Sequence, residues 1–475
     1  MKLHYKYLVL LFSVLATVLA TFIYVVSNSY IGYSLPFLLM GLAIGLYAIV
    51  DYRFGFYLAL ASGFFIFFLG RLVGQTFPSA FYIDILIWTS FLGLILDSIR
   101  RRHQIFWGNG HAISYGYFIF LLLLLIESLN PNASSFEGWF FVFRKFLQLV
   151  VIYILGLNVF TSLRRIFVFL RIWITLAFIA GVYACYQEWF GFFNFEIDWV
   201  YSVPGRAGLY FLDTGIMRKF SILSDPAAFG ILMGSTAVIV FVLILQQKNL
   251  KFKTMGLLSL LFIMLGVAYS GTRTAYFTII AGLFLYILMS INQIKTLIFS
   301  AFCFLAFVFI LFGPVYGNPT VDRIRSAFNF KEDASMKVRD DNRKFIQPYI
   351  LSQPLGGGLA TSGMNGLNYN PNHILAGFPP DSGFLKTAIE TGWIGFTLQC
   401  ILYFVILVSG VRAFYASTNR IMKLILLAVT TCVFSFIVSQ FGQEAIGQVP
   451  GSFLFYPCLA IIVRVRHLQT SKMIL

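Results

Sequence analysis

Residues 227–245 read AAFGILMGSTAVIVFVLIL, an apolar run without a charged side chain. A helix that crosses the hydrocarbon core of a bilayer needs about 20 mostly apolar residues. Runs of near-spanning length recur along the chain, at 6–26, 31–50, 54–72, 81–99, 112–129, 140–160, 166–189, 227–245, 255–271, 274–290, 296–313, 383–409, 421–440 and 451–464. The sequence therefore predicts an all-α polytopic membrane protein with about 12–14 transmembrane helices.

The composition fits the same class of protein. Of the 475 residues, 59% are hydrophobic and 11% are charged, which is more apolar material than one soluble core can absorb. The net charge of +16 could indicate nucleic-acid binding, but the basic residues form short clusters between apolar runs, as in cytoplasmic loops. The five cysteines fall inside apolar runs and lack metal-ligand spacing, so neither a disulfide framework nor a metal site is predicted.

The charge distribution also orients the chain in the membrane. Lys2 and Lys6 precede a first apolar run without a small-residue cleavage site, so we interpret this run as a retained span. With the N-terminus in the cytoplasm, most loop lysines and arginines fall on the cytoplasmic side, and both termini are cytoplasmic. Four outer connections then carry no lysine or arginine: 27–30, 73–80, 130–139 and 441–450.

Two outer connections, 190–226 and 314–382, are much longer than the ~12–15 residues above which structureless loops are uncommon. We expect three parts: 1–313 with the first eleven spans and the outer loop 190–226, the large extracytoplasmic loop 314–382, and 383–475 with the C-terminal spans and a cytoplasmic tail. The charged stretch 322–344 is compatible with an amphipathic helix inside the large loop. Long loops of this kind usually carry function.

A few arginines on the outer side depart from the positive-inside pattern. Arg218 lies in MRKFSILSDP at 217–226, Arg273 lies in YSGTRT at 269–274, and Arg206 has less distinctive surroundings. Guanidinium groups bind phosphate oxygens in a bidentate fork and stay charged at any working pH. Arginines that converge at the outer face therefore indicate a site for an anionic lipid pyrophosphate, with headgroup snorkelling as the alternative.

Candidate bases for a proton transfer lie in and just after the large loop. Asp381 and Ser382 follow two prolines at an N-cap position, so Asp381 is either a helix cap or a catalytic residue, or both. His373 is the only histidine in an outer segment and is the second candidate, although a loop histidine is more often a solvated surface residue.

Two further pairs of charged residues call for a structural interpretation. Lys386 and Glu390 are one helical turn apart and are predicted to pair, with Glu390 fixing a helix or lining the path of an acceptor. Arg71 and Asp84 lie near the outer ends of neighbouring spans and are expected to form a buried pair without a catalytic role.

Several functional motifs are absent from the sequence. We find no Walker-type loop, HExxH motif, serine nucleophile elbow or CxxC pair. ATP-driven work and zinc-dependent hydrolysis are therefore disfavoured, and no cofactor is predicted.

The Arg218 segment, Ser270–Arg273, the Gly356–Gly358 turn and the segment 381–395 together resemble the O-antigen polymerase and ligase superfamily. The resemblance covers most of the chain from about residue 205 onward. It implies a GT-C-like helical fold and a metal-independent membrane glycosyltransferase that uses undecaprenyl-pyrophosphate-linked sugars at the outer face of the bacterial inner membrane.

By position, Arg218 and Arg273, and less closely Arg206, are similar to the pyrophosphate-binding arginines of this superfamily. Its ligases carry a histidine followed by an asparagine where this chain has Asp381 and Ser382, so a polymerase fits better. His373 is then a possible displaced counterpart of the ligase histidine.

The leading hypothesis is a polymerase of O-antigen, exopolysaccharide or capsule that joins lipid-linked oligosaccharide repeat units. Arg218 and Arg273 would stabilise the pyrophosphate leaving group, and Asp381 would accept the proton of the acceptor hydroxyl. The expected partners are the lipid-linked oligosaccharide, membrane lipids and a chain-length regulator.

Two alternatives stay open at this point. The first is an O-antigen ligase that transfers the glycan to lipid A core or to protein. The second is a flippase or transporter of lipid-linked sugars, although transporters commonly pair charges near the midplane, whereas this chain concentrates them at one face.

Overall fold

The structure is a computed structural model that describes residues 41–73, 79–212, 215–245, 247–314, 325 and 334–470. These residues fold into helices joined by turns, and they contain no β-strand. The predicted span 6–26 and the first half of 31–50 lie outside the described residues.

In chain order the helices are α1 (Gly41–Val50), α2 (Tyr52–Val73), α3 (Ser79–Arg101), α4 (Ala112–Ile126), α5 (Phe136–Val159), α6 (Leu163–Trp189), α7 (Asn194–Tyr201), α8 (Pro226–Leu245), α9 (Leu250–Tyr269), α10 (Arg273–Met289), α11 (Ile294–Phe312), α12 (Ala334–Ser352), α13 (Gly363–Tyr369), α14 (Gly383–Glu390), α15 (Gly392–Ala416), α16 (Arg420–Ser439) and α17 (Ser452–Thr470).

Within the described part of the chain, nine helices are long and apolar enough to cross a membrane. They are Tyr52–Val73, Tyr82–Arg101, Ala112–Leu129, Phe136–Val159, Leu163–Trp189, Pro226–Leu245, Leu250–Tyr269, Gly392–Ala416 and Arg420–Ser439. The predicted all-α polytopic architecture is thereby confirmed.

Helices α8 and α16 form the centre of the bundle. In their apolar windows 78% and 72% of the residues are buried, compared with 17% in the peripheral α9. Helix α8 packs against α9, α10 and α16, and such all-round packing suits a helix that is apolar on every face. The run 227–245 is thus the core around which the other helices assemble.

The connections gather at two ends of the bundle. One end, called here the loop end, holds 127–135, 190–226, 270–272, 353–391 and 440–451. There Asn132 Nδ2 donates to Gly356 O at 2.8 Å. At the opposite end the ring nitrogens of His111 and His467 lie 2.9 Å apart. The described connections that the sequence predicts on the outer side of the membrane thus gather at the loop end. Which side of the membrane the loop end occupies stays a prediction.

The predicted span 383–409 is wrong as a single helix. The chain forms the short α14 and then the long α15, with a break at Gly392, where φ is +65°. A side chain at Gly392 would overlap the carbonyl oxygen of Pro354, so this position needs glycine both for its conformation and for close approach. The segment after the large loop is therefore a short separate helix at the loop end, and the long helix begins at Gly392.

The predicted pair between Arg71 and Asp84 is also wrong. The Arg71 guanidinium donates to the carbonyl oxygens of Ser221 at 2.8 Å and Leu223 at 2.5 Å, and Asp84 pairs with Arg144. An apolar pattern sets the length of a span but not which neighbour a charged side chain faces. Arg71 therefore anchors the first long loop to α2.

Candidate functional site

Arg218 is hydrogen-bonded to the turn that carries the second predicted motif, Ser270–Arg273. Its Nε donates to Ser270 O at 3.0 Å, and one Nη donates to Thr272 Oγ1 at 2.7 Å. The other Nη donates to Leu209 O at 3.1 Å. Two motifs that are 52 residues apart in sequence are thus joined by a single guanidinium group.

The turn itself is shaped to bring Arg273 alongside. Gly271 has φ +57°, and a Cβ there would lie 3.5 Å from Arg218 Cγ, so the turn packs directly on the arginine side chain. Arg273 is the first residue of α10 and is half-buried. The exposed N–H groups and the dipole of a helix N-terminus favour a bound anion, and this contribution adds to the charge of both arginines.

The segment Gln440–Glu444, called here the bridge segment, packs next to Arg273. A Cβ at Gly442 would lie 2.7 Å from Thr274 Oγ1, so the backbone of the bridge segment passes directly over the first turn of α10. A small cavity lies between the first turns of α8 and residues 443–451. Arg273, which together with Arg218 is called here the arginine pair, is therefore next in sequence to a residue that contacts the connection between α16 and α17.

The other side of the bridge segment contacts the segment that carries Asp381. Gly383 N donates to Gln440 O at 2.9 Å. The Gln440 side chain fixes this connection from within, because its Oε1 accepts from Ala445 N at 2.6 Å and from Ile446 N at 3.2 Å. Asp381 and the arginine pair thus lie on two sides of one short, well-bonded segment.

Asp381 and Ser382 have different environments. Ser382 is the N-cap of α14, since its Oγ accepts from Leu385 N at 3.0 Å, so the predicted capping role belongs to Ser382. Asp381 is half-buried, and its carboxylate has no hydrogen bond or ion pair with the described residues. The catalytic role of Asp381 stays a prediction, and capping by Ser382 leaves its carboxylate available for one.

The predicted pair between Lys386 and Glu390 is replaced by two other contacts. Lys386 Nζ forms an ion pair with Glu444 of the bridge segment at 2.9 Å. Glu390 is buried and accepts a hydrogen bond from Ser362 Oγ at 2.6 Å. Glu390 thus joins α14 to the large loop, whereas Lys386 joins α14 to the bridge segment.

His373 lies in a turn of the large loop and bonds locally. Its Nδ1 accepts from Leu375 N at 3.1 Å, and its ring meets Tyr349 edge-on. Burial lowers the pKa of His373, so the neutral ring with the proton on Nε2 is favoured. With Nδ1 occupied and Nε2 protonated, this ring is poorly prepared to accept a proton.

Arg206 lies in the same long loop, 190–226, as Arg218. Its Nη1 donates to Trp199 O at 2.6 Å and to Ser202 Oγ at 3.0 Å, and its guanidinium stacks on the Trp199 ring. Burial raises the pKa of Tyr210, and the charges of Arg206 and Arg218 act in the opposite direction. Arg206 is therefore near the arginine pair, but its hydrogen bonds cap α7.

Sequence reasoning missed the bridge segment. Residues 441–450 were read only as a connection without lysine or arginine, although Glu444 and the preceding Gln440 make the contacts that join the site. Gln440, Gln443 and Glu444, three polar residues around Gly442 in a short connection, were the available signal. Among the described residues no group of three or more His, Cys, Asp or Glu side chains has the arrangement of a metal site.

Comparison with known families shows a match over part of the chain. Residues 257–400 match the family model described as O-antigen ligase. The match includes Ser270–Arg273, the large loop and the segment 381–395, and it begins after Arg218. The predicted resemblance is thereby confirmed for this part of the chain. No curated protein matches the chain.

Proposed function

We propose that this chain, whose residues 257–400 form an O-antigen ligase family domain, is a membrane glycosyltransferase that polymerises lipid-linked oligosaccharide repeat units. The observation that carries the proposal is the hydrogen bonding of Arg218 to Ser270 and Thr272, since these two residues belong to the turn that leads into Arg273 at the start of α10. Two guanidinium groups at a helix N-terminus suit a pyrophosphate, which carries several negative charges.

The proposed reaction is a single group transfer at the anomeric carbon of the donor glycan. The acceptor hydroxyl oxygen attacks this carbon, the bond between the carbon and the pyrophosphate oxygen breaks, and the electron pair leaves with undecaprenyl pyrophosphate. Asp381 accepts the proton of the hydroxyl. Arg218 and Arg273 stabilise the charge that develops on the pyrophosphate, so the leaving group needs no proton donor.

The contacts of Arg218 support this role because they fix its orientation before substrate arrives. Its side chain is held at three nitrogens by Leu209, Ser270 and Thr272. A preorganised cation needs little reorganisation as charge develops, and this is the main source of electrostatic catalysis.

An apolar groove on α6 offers a path for the polyprenyl chain of the donor. It is lined by Phe178, Ile179, Val182, Tyr183, Tyr186 and Phe193. At the loop end of the bundle this groove comes close to Glu188. The Glu188 carboxylate pairs with Lys219, which follows Arg218 in sequence. A lipid tail in this groove would deliver its pyrophosphate to the arginine pair.

The direct test is elongation by the purified protein in detergent, with an undecaprenyl-pyrophosphate-linked repeat unit as the only substrate. We expect a ladder of products that differ by one repeat, together with release of undecaprenyl pyrophosphate. A flippase would leave the substrate unchanged, because detergent offers no bilayer to cross. Absence of products from a folded, monodisperse preparation would refute the polymerase.

The second candidate is a ligase, which the description of the matched family favours. A strain that lacks a polymerase accumulates single lipid-linked repeats, whereas a strain that lacks a ligase accumulates long lipid-linked chains. Deletion of the gene and analysis of the lipid-linked pool therefore distinguishes the two, and we expect single repeats.

A further inference from the structure

A second group of cations lies at the loop end, apart from the arginine pair. Arg144 and Lys145 are on α5, and Lys386 is on α14. Lys386 and Glu444 interact electrostatically with Lys145, as do Arg144 and Asp84. Side chains from α3, α5, α14 and the bridge segment thus form one charged group, called here the α5 cluster.

Lys145 is placed unusually deep for an exposed lysine. It follows the first residue of α5 by nine positions, roughly 14 Å along the helix. Its side chain is exposed, and its ammonium group lies 4.1 Å from the centre of the Phe141 ring. Exposed charge at this depth in a membrane helix indicates a polar cavity or a bound counter-ion more strongly than contact with lipid tails.

Two of the three cations in the α5 cluster form ion pairs. Arg144 pairs with Asp84, and Lys386 pairs with Glu444 at 2.9 Å. No carboxylate of the described residues lies within ion-pair distance of Lys145. Lys145 is therefore the cation of this cluster that forms no ion pair within the described part of the chain, and both neighbouring ion pairs are themselves partly exposed.

We propose that the α5 cluster is a second anion site, which binds the pyrophosphate of the acceptor lipid through Lys145. The proposal rests on the proposed function, because a polymerase must hold two lipid-linked substrates at once. The ion pair of Lys386 with Glu444 joins this site to α14. Asp381 lies two residues before the start of α14. The donor pyrophosphate at Arg218 and the acceptor pyrophosphate at Lys145 would then lie on opposite sides of the bridge segment.

Binding stoichiometry tests the site without reference to activity. Purified protein in detergent is titrated with undecaprenyl pyrophosphate and examined by native mass spectrometry. We expect two bound lipids for the wild type, one for Lys145→Ala and two again for Lys145→Arg. A single bound lipid in the wild type, or two in Lys145→Ala, would overturn the second site.

A matched control is available at the far end of the bundle. Lys423 on α16 also contacts an aromatic ring, with its ammonium group 4.9 Å from the centre of Phe414. Lys423→Ala removes the same charge and the same type of ring contact, so two lipids should still bind. Loss of one lipid in Lys423→Ala as well would show that the titration reports general charge, and the inference would fall.

Kinetics assigns the site to the acceptor. With a preformed long chain as donor and a single repeat as acceptor, Lys145→Ala should raise the KM for the acceptor about tenfold and leave kcat unchanged, as expected for one lost charge-assisted contact. A raised KM for the donor instead would refute the acceptor role. If the wild type binds two lipids but forms no polymer, the polymerase proposal fails while the second anion site stands.

Discussion

Arg218 and Arg206 lie in the same long loop, yet they make opposite kinds of contact. Arg218 bonds to Ser270 and Thr272, which are 52 and 54 positions away and lie in the turn between α9 and α10. Arg206 bonds to Trp199 and Ser202, only seven and four positions away, at the end of its own short helix. Both arginines are half-buried residues of one loop, but they differ in the segments that they hold together.

The difference separates residues that assemble a site from residues that complete a local element. A contact between distant segments fixes the relative position of two motifs, and its loss disturbs both of them. A contact within one turn or helix end contributes about 0.5–1.5 kcal/mol to that element and little elsewhere. The same distinction applies to Asp381, Lys386 and His373, and each can be used to test it.

The largest effect is expected for Arg218→Ala compared with Arg206→Ala. Loss of Arg218 removes a preorganised cation and releases the turn at Ser270, so the elongation rate should fall about 1,000-fold. Arg206→Ala should keep the rate within about threefold, since it loses mainly the cap of α7. The measurement is the initial rate of elongation by purified proteins of equal thermal midpoint. Equal losses in both variants would refute the distinction.

The second effect concerns Asp381 and its neighbour Ser382. Asp381→Asn keeps the shape of the side chain but cannot accept the proton, so the rate should fall about 100-fold or more at an unchanged thermal midpoint. Ser382→Ala should behave in the opposite way, with a loss of about 1 kcal/mol in stability and a nearly normal rate. A fully active Asp381→Asn protein would leave this residue without a catalytic role.

The sequence predicted the parts of this site better than their contacts. Apolar runs gave the helices, because burial in a bilayer requires a nearly continuous apolar stretch whatever the neighbours are. The pattern of charges placed Arg218 and Arg273 at the same end of the bundle. The charge pattern could not predict that Lys386 pairs with Glu444. The partner of a charged residue on a helix depends on the rotation of that helix about its axis, and tertiary packing sets this rotation.

The break at Gly392 escaped prediction for a related reason. Glycine occurs in transmembrane helices, and the run 383–409 has no charged residue apart from Lys386 and Glu390. Only the approach of Pro354 to Gly392 explains why the helix must stop there. That contact comes from the large loop, whose path the sequence does not encode in any local pattern.

The third effect tests the contact of Lys386 with Glu444. Lys386→Glu or Glu444→Lys places two like charges next to each other, on residues that are 58 positions apart in sequence. Either change should reduce the elongation rate about tenfold. The effect is moderate because the pair is partly exposed and the side chains can move apart. The double exchange restores opposite charges and should recover the rate to within about threefold. Rates of both single variants and of the double variant form a cycle, and additive losses would mean that the pair does not couple the two segments.

The smallest effect is expected for His373, whose bond to Leu375 is local. An asparagine side chain can place its oxygen where His373 Nδ1 lies, so His373→Asn should keep both the turn and the rate within about twofold. His373→Ala loses the acceptor and should lower stability by about 1 kcal/mol.

Because burial lowers the pKa of His373, the folded state disfavours its protonation. The wild-type turn should therefore lose stability as the pH falls below about 6.5, whereas the turn in His373→Asn should not. Thermal midpoints between pH 5 and 8, measured beside the elongation rate, check both statements, and a large loss of rate in His373→Asn would instead make this histidine the base.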